Sequence, residues 1–248
     1  MSNGTDGIIL IDKNAGETSF DAVKRAKKVF KSKAGHAGTL DPFATGLLII
    51  LLGQGTKLSS YLMAGEKKYL AVMTMGIKTD TLDRTGRVLM ELPVPDMPQE
   101  EIASIVRAFT GNIEQRPPSY SAVKFEGQRA YKLARKGIEA DLGKRMVTIH
   151  SIEVVSVSMP DITFEVTCSG GTYIRALASD IGEKLGSVAH LKSLRRLASG
   201  SFNVINAMDS RLLVSGVEGD FLKGRIINLK DALPDMVECP IDPDSARK

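Results

Sequence analysis

The residues best suited to chemistry lie in GHAGTLDPFATG, positions 35 to 46, where one carboxylate and one imidazole share a glycine-rich stretch. An aspartate acts as a nucleophile when its carboxylate attacks and as a general base when it takes a proton. Pro42 biases Asp41 away from helical angles, which holds the carboxylate in a fixed direction. Gly35, Gly38 and Gly46 relax the steric limits on the backbone and let it pass close to a ligand. His36 adds the one side chain whose ordinary titration lies near neutral pH. The same letters also suit an ordinary Asp-Pro turn joining a strand to a helix. The run LLIILLG at 47 to 53 weighs against that reading, since it is too apolar for a surface excursion. The loop is therefore expected to be anchored on a buried element.

The elements that must position it can be taken in chain order. Residues 7 to 11 read as a short buried strand, with Lys13 following it into a turn. Thr18 or Ser19 caps a helix whose first turn holds Asp21 and whose apolar side is Phe20, Val23, Ala26 and Phe30. Its other side is cationic: Lys24, Arg25, Lys27, Lys28, Lys31 and Lys33 have no acid among them, which reads as a phosphate-contacting surface. Residues 69 to 75 form a strand opened by Tyr69, and Asp80, Asp83, Arg84 and Arg87 lie in the polar loop that leads to the next strand. A helix follows Pro98, with Ile102, Ile105, Val106 and Phe109 at helical spacing and Gly111 beyond its end. Then RPPSYSAVKFEGQRAYKLARKG, from position 116, mixes Arg116, Lys124 and Arg129 with Tyr120, Phe125 and Tyr131, the combination that phosphate and stacking contacts to RNA use. Residues 146 to 158 and 161 to 169 alternate as an antiparallel pair. The second strand delivers CSGGTYIR, so that Tyr173 and Arg175 start a helix running to Gly186. A further helix is expected around 209 to 215, before the polar tail PIDPDSARK.

Composition sets broad bounds. A chain of 248 residues with a hydrophobic fraction of 43% is long enough to bury a sizeable core as one large domain with appendages. The polar start MSNGTDG does not read as a signal peptide, and no stretch is long enough to span a bilayer, so a cytoplasmic, membrane-free protein is expected. Cys168 and Cys239 form no ligand-spaced cluster, which argues against both a zinc site and a disulfide framework. A net charge of +4 and a pI near 9.0 point weakly to a polyanionic partner.

Four segments together carry a resemblance. GHAGTLDPFATG, KKYLAVMTMGIKTDTLDRTGRV at 67 to 88, RPPSYSAVKFEGQRAYKLAR at 116 to 135, and CSGGTYIRALASDIGEKLG at 168 to 186 followed by AHLKSLRRLASGSF at 189 to 202 resemble the motifs of the TruB family of tRNA pseudouridine synthases, in that family's order. The resemblance implies an α+β pseudouridine synthase fold, with a large mixed, mostly antiparallel sheet, peripheral helices and a central cleft. It implies a catalytic domain over 1–206 with an RNA-binding insertion at about 115–145 that closes on the RNA, and a C-terminal extension over 207–248 that stops short of a complete RNA-binding tail domain. It implies isomerisation of uridine to pseudouridine in the T loop of tRNA, by a monomer, without cofactor or metal. Asp41 is then the catalytic residue, Arg175 its ion-pair partner and Tyr69 the aromatic that stacks on the target base. Tyr173 lies against the aspartate, Leu194 lines the uracil pocket, Lys13 lies near the loop and His36 props the disturbed RNA. Lys24, Lys28, Arg116, Tyr120, Lys124 and Arg129 are expected RNA contacts. Whether Asp41 attacks the sugar, attacks the ring or acts as a base stays open, because a carboxylate does each. Two other classes compete. A non-catalytic RNA-binding or RNA-folding protein would share the basic helix and aromatic insertion without needing Asp41 and Arg175. A metal-dependent nuclease would need clustered acidic or histidine ligands, which three scattered histidines and an isolated Asp41 do not supply.

Overall fold

The chain is built around one mixed sheet, seen in a computed structural model that describes residues 5–138, 140–214, 219–233 and 236. From the N-terminus, β1 (Gly7–Lys13) leads to α1 (Ser19–Phe30), β2 (Ala34–His36) and β3 (Thr45–Leu52). After α2 (Ser59–Ala64) come β4 (Lys67–Met75) and a small hairpin of β5 (Ile77–Thr79) and β6 (Val88–Glu91). Next are α3 (Gln99–Arg107), β7 (Gly111–Gln115), the two-residue strands β8 (Lys124–Phe125) and β9 (Gln128–Arg129), and α4 (Ala130–Ala134). The long β10 (Arg145–Ser158) and β11 (Asp161–Cys168) precede α5 (Ile174–Lys184), β12 (Ala189–Ser199), β13 (Phe202–Asn203), β14 (Met208–Asp209) and α6 (Gly219–Lys223).

The sheet runs β14-β1-β3-β12-β4-β11-β10-β7, with β2 added to β3 and β13 to β12. All its pairings are antiparallel except β1 with β14 and β12 with β3. The contact between β12 and β3 is short, placing Arg195 opposite Thr45 and Arg196 opposite Gly46. There the sheet joins its two halves, and the GHAGTLDPFATG loop enters β3 at that seam.

The apolar run of β3 is explained by burial on both faces. Leu48, Ile50 and Leu52 join the larger core, with α1 and α5, while Leu47, Ile49 and Leu51 join a smaller one with Ile8, Leu10, Leu62 and Phe202. Helix α1 starts at a capping box in which Thr18 accepts from the Asp21 N–H and Asp21 accepts in return from the backbone of Thr18. It buries Ala22, Val23, Ala26 and Phe30, whereas Phe20, expected on the apolar side, is exposed. Residues 145–158 and 161–168 form the antiparallel pair that the alternation predicts.

One expectation changes. The helix expected around 209 to 215 is a single 3-10 turn, Ser210–Leu212, within the described residues. Asp209 ends β14 and caps that turn, its carboxylate accepting from the backbone N–H of Arg211. Sheet structure also continues past residue 206, since β14 pairs with β1, and Ile8 and Ile227 exchange backbone hydrogen bonds. Cys239 and the PIDPDSARK tail lie outside the described residues. No helix among the described residues is long and apolar enough to cross a membrane.

Candidate active site

Asp41 stands on the loop between β2 and β3, and that loop is pinned from several sides. The Ser19 hydroxyl accepts from the Leu40 N–H at 2.9 Å and donates to the Leu40 carbonyl at 3.1 Å. Lys13, at the end of β1, is fully buried and donates to the carbonyls of Asn14 and Glu17 at 2.8 Å and of Pro42 at 3.3 Å. The Gly16 N–H adds a 2.8 Å bond to Pro42. Lys13 thus sits behind the loop as a brace, and burial lowers its pKa to about 8, partly offset by Glu17 and Asp41.

The first turn of α5 presents Arg175 to this loop. Its Nη2 donates to Asp41 Oδ1 at 3.2 Å, and its Nε lies 2.8 Å from Oδ2, at an angle that leaves the second approach ionic rather than hydrogen-bonded. Nη1 donates to the Thr81 carbonyl at 2.7 Å and lies 3.5 Å from Asp83, while Nη2 also reaches the Tyr120 carbonyl at 2.9 Å. Arg175 is buried, and Asp41 keeps 33% of its side-chain surface open. Burial pushes the Asp41 carboxyl above the usual carboxylate range. Arg175 opposes this most strongly, Asp83 adds to it and Lys13 opposes it more weakly.

Two cavities meet at this ion pair. One, of about 250 Å³, is lined by Asp41, Arg175, Tyr69, Tyr173, Leu194 and Arg196, among others. Tyr69 faces Arg196 across the β4–β12 pairing, and Leu194 lies two residues before Arg196 on the same strand face. Tyr173 is held by Gln115, whose side chain accepts from its N–H at 2.7 Å and donates to its carbonyl at 3.0 Å, and the Arg145 guanidinium lies 5.2 Å from its ring centre. The second cavity, about 750 Å³, reaches Asp41 from the side of His36, Phe20, Tyr120 and Arg129. Among the described residues His36 Nδ1 is buried without a hydrogen-bond partner, and burial, then Arg196, lowers the ring's pKa, which favours the neutral imidazole.

The structure therefore brings Tyr69, Tyr173 and Leu194 together with Asp41 and Arg175 around the smaller cavity, and His36, Tyr120 and Arg129 with the same pair around the larger. Lys24 and Lys28 lie on the exposed face of α1, and Arg116 and Lys124 are exposed on the insertion, away from both cavities. Sequence reasoning named Asp83 without a role and passed over Arg196 and Lys67. The period of a strand was the available signal for Arg196, since it puts that residue on the face of Leu194. Among the described residues, no cluster of three or more His, Cys, Asp or Glu side chains suits a metal ion. The groups that the site offers are a carboxylate, cations and aromatic faces, a set suited to nucleophilic or acid–base work on a flat, polar ring.

Residues 25–174 match the model of the TruB family pseudouridylate synthase N-terminal domain, and residues 175–215 match that of the tRNA pseudouridylate synthase B C-terminal domain. The chain is similar to a tRNA pseudouridine synthase B of Geobacter sulfurreducens, 41% identical over 98% of this chain and 80% of the relative. It is also similar to one of Nitrosococcus oceani, 48% identical over 79% of this chain and 64% of the relative. Among solved structures it resembles a chain of an H/ACA RNP bound to a substrate RNA containing 2′-deoxyuridine, with a TM-score of 0.68 and 28% identity, covering 92% of this chain and 60% of that one.

Proposed function

The chain belongs to the TruB family of pseudouridylate synthases, and from that premise we propose that it converts uridine to pseudouridine in the T loop of tRNA, at the position numbered 55. The reaction detaches uracil from C1′ of the ribose at N1, turns the ring and rejoins it through C5. The C5 proton is lost and N1 gains one, so the change is an isomerisation. Asp41 is the catalytic residue, and Arg175 holds its carboxylate ionised and aimed. Tyr69 stacks on the extruded base, with Leu194 and Tyr173 completing the smaller cavity. His36 lies in the larger cavity, where a neutral ring props the opened loop. The insertion at about 115–145 closes over the RNA with Arg116, Tyr120, Lys124 and Arg129, and Lys24 and Lys28 meet the phosphate backbone. Lys13 supports substrate binding through the loop that it braces. The catalytic unit spans 1–206, with 207–248 as its extension, and the protein works as a cytoplasmic monomer.

The observation that carries this reading is the Asp41–Arg175 pair, a buried guanidinium on a part-open carboxylate where the two cavities meet. The test follows tritium release from a T-arm stem-loop RNA labelled at C5 of its uridines, in chelator, with the native chain and with Asp41→Asn. Release by the first and none by the second, with RNA binding retained in both, is expected. Binding without release by the native chain would instead favour a non-catalytic RNA-binding protein.

A further inference from the structure

Adjacent arginines on β12 are treated oppositely. Arg195, partly exposed, has a two-pronged ion pair with Asp12, at 3.0 and 2.6 Å. Arg196 is only 1% exposed, yet among the described residues no carboxylate lies within 4.0 Å of it. Its Nε donates to the Leu47 carbonyl at 2.6 Å and its Nη2 to the Gly38 carbonyl at 3.0 Å, neutral partners on β3 and on the catalytic loop. A buried charge without a counter-charge costs stability, so its retention calls for an account. The charge is felt around it: after burial, Arg196 is the next influence lowering both Lys67, to about 8, and His36. Lys67 likewise holds only carbonyls, including that of Leu62 at 3.4 Å. The smaller cavity is thus lined by three cations, Lys67, Arg175 and Arg196, against one carboxylate, Asp41.

We infer that Arg196 is a catalytic residue whose uncompensated charge stabilises the detached uracil while that base is an anion. This rests on the function proposed above but holds for each role open to Asp41. When the C1′–N1 bond breaks, its electron pair goes to N1 and the base carries one negative charge. When C5 bonds to C1′, that charge is discharged into the new bond, after which C5 loses its proton and N1 gains one. A cation in the wall, already desolvated and held by two carbonyls, meets the charge without reorganising.

The competing account is that Arg196 merely ties the loop to β3, and two substitutions separate the accounts. Arg196→Gln keeps an amide donor but no charge, and Arg196→Lys keeps the charge without the planar fork. Tritium release is measured under single-turnover conditions with saturating T-arm RNA, beside filter-binding affinity and thermal unfolding. Arg196→Gln is expected to bind RNA within about threefold of the native chain and to react about 10²–10³ times more slowly, with Arg196→Lys recovering at least about tenfold. A Gln variant as fast as the native chain, or Lys and Gln variants equally slow, would overturn the inference. Should the Gln variant not unfold cooperatively, Arg196→Lys decides alone. A rate within about 10²-fold of the native one supports the charge, and a greater loss overturns it. A native chain that releases no tritium sinks the proposed function instead, before either variant is compared.

Discussion

Replacing Gly46 by alanine should unseat the seam between β3 and β12, and the structure gives the size of the effect. Gly46 has φ +100°, and a Cβ there would fall 2.3 Å from the Arg196 carbonyl oxygen and 2.7 Å from its nitrogen. Both obstacles are backbone in the middle of a sheet, so no side-chain rotation relieves them. The positive φ costs an alanine about 1–2 kcal/mol, and forcing the two strands apart adds about 1–3 kcal/mol. A loss of about 3 kcal/mol corresponds to a fall in Tm of roughly 6–12 °C for a chain of this size. Gly186 supplies the control, because its φ is +82° but a Cβ there meets nothing within 4 Å. Gly186→Ala should lose only the conformational part, about 1–2 kcal/mol or roughly 2–8 °C. Because Arg196 lies across the seam, Gly46→Ala should also lower tritium release about tenfold or more at a temperature where it is folded, while Gly186→Ala keeps native activity. Thermal unfolding by circular dichroism and a release assay on the same samples suffice. Equal Tm losses in the two variants would refute the steric argument.

Asp83 raises the pKa of Asp41, so Asp83→Asn should lower it, and the acid limb of the single-turnover pH–rate profile should move to lower pH; an unmoved limb or an upward shift would contradict the geometry. Burial, then Glu183, raises Asp180 to about 6, so its contribution to stability is present below its unfolded-state pKa and lost as pH rises through about 6. Asp180→Asn should therefore stabilise the protein at pH 8 by about 1 kcal/mol, discounted for partial exposure, with a smaller gain at pH 5, as read from urea unfolding. Replacing Lys24 and Lys28 together by Gln should reduce the slope of log affinity against log salt by about 1–2 while leaving the saturated rate unchanged; an unchanged slope would remove α1 from the RNA interface.

The parts of the fold legible in sequence are those where one physical signal dominates. The β3 run reads as buried because both its faces are apolar, and α3 reads as a helix because Ile102, Ile105 and Val106 recur at its period. Strand β12, although central, has no such signature. Lys192 and Arg195 point outward to Asp161 and Asp12, Arg196 is a charge turned inward, and register shifts after Leu191 and Arg196 break the alternation. The loop around Asp41 was visible from its glycines and proline, whereas its contact with Arg175, 134 positions away, was implied only by resemblance. Asp83 gave no signal because its place depends on a turn with Leu82 at positive φ, and Thr85 then donates to its carboxylate from both backbone and side chain. Local pattern cannot report such a contact, since what fixes it is the bridge between this turn and Leu191 on β12.

The placement of Asp83 bears on how one arginine serves Asp41. Paired with Asp41 alone in a buried site, Arg175 would draw the carboxylate's charge strongly and depress its pKa, which weakens a group needed as nucleophile or base. Here the guanidinium is shared: Asp83 takes part of Nη1, and the Thr81 and Tyr120 carbonyls hold the remaining donors. Orientation is kept by four contacts, and because burial outweighs the pull of Arg175 and Asp83 adds to burial, the net direction of Asp41's pKa is upward rather than down. The Tyr120 bond adds a link from the insertion to this network, so a movement of that segment on RNA would reach Asp41 through one intervening side chain. Tyr120→Pro removes no acceptor, because Arg175 is bonded to the carbonyl, but it restricts the segment's angles. If the insertion orders Asp41 through Arg175, that variant should react at least about tenfold more slowly in single turnover at saturating RNA, whatever affinity the loss of the ring costs. A native rate would show that Arg175 keeps its aim without the insertion.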